Sequence, residues 1–459
     1  MADETSSLRS ASQQEDGAHR TDLLQTTLNM INCFVGAGIL TVPFAFRLGG
    51  YSAALSLALV ASLNWYTSLL LGSAMDKAAA LHPEIPARQW SMGKLGWAAF
   101  GPVGDRFIRT LFALELWFAL ETFLVLTGIS VNLLTGISQP PVIVVAGMLG
   151  CLSLGLPMNA VSYASLLAVS CMVGGLFALV FCGFGRIWDS ENTPDALTQH
   201  IVVDVPGIPG ALGIFLYCFS GLPCLPNIRN AMRRPAEEYA VAIHYAFLYS
   251  SLYYMAVGML GYQFFASDTR QSFLKDLIPI PEERHKSMYA WVAMMASGLF
   301  ALKLQAGFPL YAAPILGAIG VGGGDGVPHW PAKHTWIARG LFALVSIFFA
   351  IMARNQLDAV AELMGAFLTN STSIMFPVAS YCALTDKLKE KMSTRQTSLL
   401  YGLMLFGASY GVIGTVSASY RLFEGSLHPG ALSGDAMQNA TARHMRNMSY
   451  PSLIRVDAT

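Results

Sequence analysis

Apolar residues run through this chain in long blocks separated by short polar segments, with no alternation of the strand type. A helix needs about 20 apolar residues to cross the hydrocarbon core of a bilayer. On that measure the blocks predict eleven spans: 23–46, 51–74, 107–134, 141–156, 163–185, 208–228, 241–266, 287–319, 335–352, 357–384 and 398–417. The predicted fold class is an all-α polytopic membrane protein. A transmembrane domain over 22–420 lies between a disordered tail at 1–21 and a second tail at 421–459. Residues 1–21 lack the apolar core of a signal peptide, so the first span is expected to act as its own insertion signal.

Two spans are interrupted near mid-depth. The first carries Gly36-Ala37-Gly38 followed by Pro43, and the sixth carries Ser220-Gly221-Leu222-Pro223 followed by Pro226. Lipid cannot satisfy free backbone amides and carbonyls, so broken backbone at that depth survives only against protein or a cavity. Paired breaks in the two halves of a membrane protein point to a substrate site between inverted repeats, here five spans, five spans and one more. Unwinding at Gly36, Ala37 and Gly38 would aim amides of the second half-helix at a carboxylate. Carbonyls freed around Phe219, Ser220 and Gly221 would suit an ammonium group. The alternatives are close helix packing at the glycines and a simple kink at the prolines.

Composition strengthens the membrane reading. Of 459 residues 54% are hydrophobic and only 12% charged, against about 25% charged in soluble domains. Formal net charge is zero, which gives no reason to expect a nucleic-acid partner. The seven cysteines all fall in apolar stretches, so neither a disulfide framework nor metal-ligand spacing is present, and they read as small buried hydrophobes. No nucleophile–base constellation or phosphate loop occurs, so an enzyme, a cofactor and a metal are not expected.

With the N-terminus in the cytosol, the cytosolic loops carry thirteen Lys and Arg, including Arg229, Arg233, Arg234 and Lys387, Lys389, Lys391, Arg395. The opposite loops carry seven, so the positive-inside bias favours this orientation. An odd number of spans then sends the C-terminal tail to the lumen or exterior, where the sequons at Asn439 and Asn447 would be usable; a third match, at Asn370, lies within a span and reads as accidental. The tyrosines and tryptophans mostly suit interfacial belts.

Ionisable residues within spans are costly and usually functional. Lys303 lies deep in the eighth span; it is either a proton acceptor or one half of a structural pair with a carboxylate on a neighbouring helix. Glu115 and Glu121 lie in the third span. At 100° per residue they cannot share a helix face, so at most one is expected to face the translocation path. Glu121, the deeper, is the better proton-carrier candidate. Asp358 and Glu362, spaced i, i+4, either line a vestibule or form a solvated helix end. Asn29, Asn32, Thr369 and Asn370 are polar at depth; Asn32 and Thr369 are the preferred substrate contacts among them.

The run GAGILTVPFAFRLGGY resembles the first-span signature of the amino acid/auxin permease family. Gly213–Met232, with Pro235 and Gly261-Tyr262, is similar to that family's sixth and seventh spans, and Phe308-Pro309-Leu310 and Gly365–Tyr381 to its eighth and tenth. The stretch ALKLQAGFPLYAA, with a lysine six residues before the proline, looks closest to the vesicular and vacuolar branch that includes vesicular inhibitory amino acid transporters. The resemblance implies a five-plus-five inverted-repeat fold with broken helices 1 and 6 that moves amino acids. In sodium-driven relatives of such a fold an ion sits between spans one and eight, so Lys303 there would argue against sodium coupling.

The expected function is therefore secondary active amino acid transport by alternating access, proton-coupled and sodium-independent. Substrate would be held by Asn32, Gly36, Ala37, Gly38, Phe219, Ser220, Gly221 and Thr369, with coupling through Lys303 and Glu121. The expected partners are a small-molecule amino acid, protons and the lipid bilayer of a vacuolar or vesicular membrane. The rivals are a sodium-coupled symporter of the same fold, a non-transporting amino acid receptor and a channel.

Overall fold

The structure, a computed structural model, describes residues 20–156, 158–189, 200–266, 269, 272–277, 288–318, 332–354 and 357–427. The sequons at Asn439 and Asn447 and most of both predicted tails lie outside the described residues. Among the described residues there are helices and no strands; Thr21 and Met232 form one isolated bridge. Eight helical stretches are long and apolar enough to cross a membrane, and Gln139–Ser153 is a shorter apolar helix. The protein is a multi-pass membrane protein.

The first predicted span is two helices, α1 (Leu23–Phe34) and α2 (Val42–Gly49), joined through a 3-10 turn at Ala37–Thr41. Asp22 caps α1 by accepting from the Gln25 amide, and Gln25 returns the bond. α3 is Ala53–Leu81 and α4 is Met92–Thr135. α4 extends well before the predicted start of the third span at 107; Gly101, at φ +76°, separates its first turns from the membrane-crossing part. α5 is Gln139–Ser153, α6 Met158–Asp189 and α9 Pro235–Phe265. The sixth span divides into α7 (Ile208–Cys218), a 3-10 turn at Leu222–Cys224 and α8 (Leu225–Ala231). A short α10 (Phe273–Leu277) precedes α11 (Met288–Ala318) and α12 (Ala332–Ala353). The tenth span is α13 (Leu357–Leu363), a π-helical stretch at Met364–Met375 and α14 (Phe376–Lys387); α15 is Thr394–Leu427. Wide helical turns of the π type concentrate at functional sites because they re-aim side chains.

The broken sixth span is the core of the molecule: 83% of its apolar window is buried, against 22% for α12 and 28% for α15. On α12, Leu341, Leu344, Phe348 and Met352 follow helical spacing and are all exposed. Such a stripe suits lipid. The buried faces carry the polar groups instead, including Asn29, Asn32, Ser165, Glu115, Lys303 and Thr369. α4 and α6 both pack on α11, α1 packs on α6 and α9, and α7 packs on α2 and the π-helical stretch.

Candidate functional site at the paired helix breaks

Helix α1 stops because Val35 leaves the helical region at φ −87°, ψ 74° and glycine follows. The break frees carbonyls that a continuous helix would bond internally. Tyr311 Oη on α11 donates to Cys33 O at 2.5 Å. Tyr254 Oη on α9 lies 2.8 Å from Phe34 O and 2.9 Å from Cys218 O, at the ends of α1 and α7. Its single proton serves one carbonyl at a time, and the Gly36 amide faces the same oxygen. One phenol thus straps both breaks together. The amides of Ala37 and Gly38 lead the 3-10 turn and have no acceptor within it.

The two breaks interlock. A Cβ on Gly38 would sit 2.7 Å from Cys218 Sγ and 2.9 Å from its Cα; one on Gly221 would sit 2.7 Å from both the oxygen and the sulfur of Cys33. Only glycine permits these backbones to approach so closely. Cys33 Sγ donates to Gly221 O at 3.4 Å. All seven cysteines are free thiols.

Asn32 turns away from the break to donate Nδ2 to Ser165 Oγ at 3.1 Å, one turn above a matching bond from Asn29 to Ser162 at 2.8 Å. Both asparagine Oδ1 atoms are buried without a hydrogen-bond partner. Asn32 Oδ1 lies 3.7 Å from where a Cβ on Gly307 would stand, and Phe123 is also in contact there. The Phe123 ring packs 4.9 Å from that of Tyr311 and reaches the Cβ position of Gly36 at 3.6 Å. Lys303 Nζ hangs 5.7 Å from the Phe123 centroid. It is fully buried and has neither an ion pair nor a hydrogen bond among the described residues. Its titratable neighbours are the Cys33 and Cys171 thiols. Of the two readings of Lys303, the structural pair with a carboxylate on a neighbouring helix finds no such partner among the described residues.

The two glutamates separate as their spacing requires. Glu115 is fully buried and accepts a hydrogen bond from Thr372 Oγ1 in the π-helical stretch; the Thr369 hydroxyl sits beside it without completing a bond. Glu121 instead faces Ser346 of α12, whose hydroxyl also accepts from Trp117 Nε1 at 3.1 Å. The structure thus brings Glu115, rather than Glu121, against the π-helical stretch of the tenth span. Phe219 stacks on Phe247 and meets Tyr254 edge-on, so its ring belongs to the packing behind the break. Ser220 is buried and its amide bonds Tyr217 O at 3.1 Å. Asn370 donates to Gly407 O at 2.7 Å and is buried against α15, out of reach as a sequon. Glu362 is buried against α7 near Gly213, and the Asp358 side chain lies outside the described residues.

Tyr254 and Tyr311 are the residues that sequence reasoning missed. Tyrosine in a span reads as an interfacial belt, yet both are fully buried at the breaks. Tyr311 follows Phe308-Pro309-Leu310 directly, and that proximity to a family motif was the available signal. A cavity of about 280 Å³ approaches the site from the side of the molecule holding Ser91, Ser153 and Ala318, and reaches Pro223 and Asn227 of the broken sixth span. On the opposite side backbone pairing ties the 200–202 segment to the start of α3: Tyr51 and Ser52 amides donate to Ile201 and Val202 carbonyls at 3.2 and 2.9 Å, and Arg47 donates to Thr269 O at 2.8 Å.

The comparisons agree with this architecture. Amino acid transporter AVT1D of Arabidopsis thaliana is 26% identical over 417 residues, covering 87% of this chain and 70% of its own. Amino acid transporter AVT1I of the same plant is 24% identical over 426 residues, covering 88% and 96%. Among solved structures, the Eremococcus coleocola manganese transporter superposes with a TM-score of 0.54 at 15% identity, over 92% of this chain and 90% of that one. The nucleobase-cation-symport-1 family transporter Mhp1 superposes with 0.54 at 12% identity, over 89% and 94%. These structures share the fold. Residues 19–420 match the family described as "Transmembrane amino acid transporter protein", and on that match the chain belongs to the transmembrane amino acid transporter family.

Proposed function

We propose that the protein is a secondary active amino acid transporter of eleven spans, proton-coupled and sodium-independent, working by alternating access in a vacuolar or vesicular membrane. The observation that carries this reading is the pair of interlocked breaks, strapped by Tyr254 and bordered by buried polar groups without partners. The amides of Ala37 and Gly38 are the carboxylate ligands, with Gly36 opening the turn. The carbonyls of Phe219 and Ser220 and the Thr369 hydroxyl receive the ammonium group, Gly221 closes the second break against α1 through its own engaged carbonyl, and Asn32 supplies its free Oδ1.

Coupling belongs to Lys303 and to the third-span glutamates. A buried ammonium between α1 and α11 stands where a sodium ion would otherwise sit, so it disfavours sodium. Glu121 is the candidate from depth; Glu115 joins it because its carboxyl contacts the π-helical stretch of the tenth span. The experiment is uptake of a labelled amino acid panel into proteoliposomes under an imposed pH gradient, with and without sodium. Saturable uptake that follows the gradient and ignores sodium supports the reading. Lys303→Gln is expected to lower gradient-driven uptake at least tenfold while exchange without a gradient persists. A sodium requirement would overturn the role of Lys303, and uptake without saturation would indicate a channel.

A further inference from the structure

The cavity that leads to the breaks is one-sided in charge. Among the described residues its walls carry two arginines, Arg109 and Arg339, and neither aspartate nor glutamate. Arg109 is already engaged: Nε and Nη2 donate to Asp105 Oδ1 at 3.2 and 2.6 Å, and Nη1 donates to Ala318 O at 3.3 Å. Arg339, on α12, is not engaged in this way. Its guanidinium lies 4.9 Å from the Trp336 ring centroid, and its Nε is buried without a hydrogen-bond partner. It has no ion pair among the described residues. A guanidinium is a planar fork of donors that binds a carboxylate in two-point fashion. A charge in a cavity walled by low-dielectric protein is screened less than one on an open surface. From Arg339 the same cavity continues to Pro223 and Asn227, at the second break.

We propose that Arg339 is a waiting site for the substrate carboxylate, and that the cavity it guards admits neutral and acidic amino acids and rejects cationic ones. The inference rests on the transporter reading and names its substrate class. An amino acid approaching from this side meets the guanidinium carboxylate-first, on the way to the second break. A second positive charge on the side chain finds no unpaired acid among the described wall residues and is repelled by Arg339, Arg109 being compensated by Asp105.

The test uses the purified full-length chain. Thermal protection is titrated with L-alanine, L-glutamate, L-lysine and, as a carboxylate without an amine, propionate; counterflow of the three amino acids is measured in proteoliposomes. Alanine and glutamate are expected to protect, lysine to fail, and propionate to compete. Arg339→Gln is expected to weaken alanine and glutamate at least tenfold, with Arg339→Lys, which keeps the charge and loses the two-point fork, recovering only part of that loss. Unchanged affinities in Arg339→Gln, or lysine handled as well as alanine, would overturn the inference. An effect of Arg339→Gln seen only in anionic lipid would overturn it as well, by assigning the guanidinium to a lipid headgroup. Failure of the underlying reading looks different: no amino acid of any charge protects the native chain or moves in counterflow.

Discussion

At the scale of single residues, the site is held by groups whose importance comes from their partners. Tyr254 is one phenol among seventeen tyrosines, distinguished only because the ends of α1 and α7 converge on its oxygen. Leaving a buried carbonyl unpaired costs about 1–3 kcal/mol. Tyr254→Phe is therefore expected to destabilise the protein by about 1–3 kcal/mol, seen as a lower thermal midpoint of the purified chain. It is also expected to slow uptake more than Tyr253→Phe, which loses only a bond to Met172 O on α6. Equal effects of the two variants would remove the strap from the argument. The glycines and prolines at the breaks were legible in the sequence because their effect is local, in their own φ angles and missing donors. The two tyrosines were not, because the carbonyls they serve lie far away in the chain.

At the scale of elements, the breaks matter as a pair. Each uses a glycine to admit the other's cysteine, Gly38 against Cys218 and Gly221 against Cys33. A methyl group at either position must push backbone aside, and overpacking of this kind costs about 1–3 kcal/mol. Gly221→Ala is expected to abolish uptake while Gly402→Ala, where an added Cβ meets nothing within 4 Å, leaves it intact; uptake normalised to the amount of protein inserted checks this. The helical period correctly separated Glu115 from Glu121, since six residues turn a helix by more than one revolution. Which of them meets the tenth span depended on where α12 and the tenth span pack, which helical spacing alone does not encode. The π-helical stretch at Met364–Met375 likewise carried no periodic signature.

At the scale of the whole molecule, a cavity opens on one side, and on the other backbone pairing ties the 200–204 segment to residues 49–52. Asp204 sits in that segment, its amide bonded to Gly49 O at 3.4 Å. Burial pushes its carboxyl above the ordinary value of 3.8, against an opposing bond from the Gly207 amide. An acid whose pKa is raised in the paired state binds protons more readily there, so pairing is favoured below the ordinary value. That contribution is lost as pH rises through the raised one. Hydrogen exchange across 200–207, corrected for intrinsic rates, is expected to show protection falling over that window, and Asp204→Asn to flatten it. A flat profile in the native chain would exclude the residue as a sensor. The sequence by itself determined the membrane class, the succession of apolar helices and the location of both breaks, because run length and the chemistry of glycine and proline act within a few residues. Only the tertiary structure decided which groups satisfy the freed carbonyls of Cys33, Phe34 and Cys218, that no carboxylate among the described residues pairs with Lys303, and that Glu115 meets the tenth span. Those outcomes depend on contacts between residues distant in the chain, which form only when the helices pack.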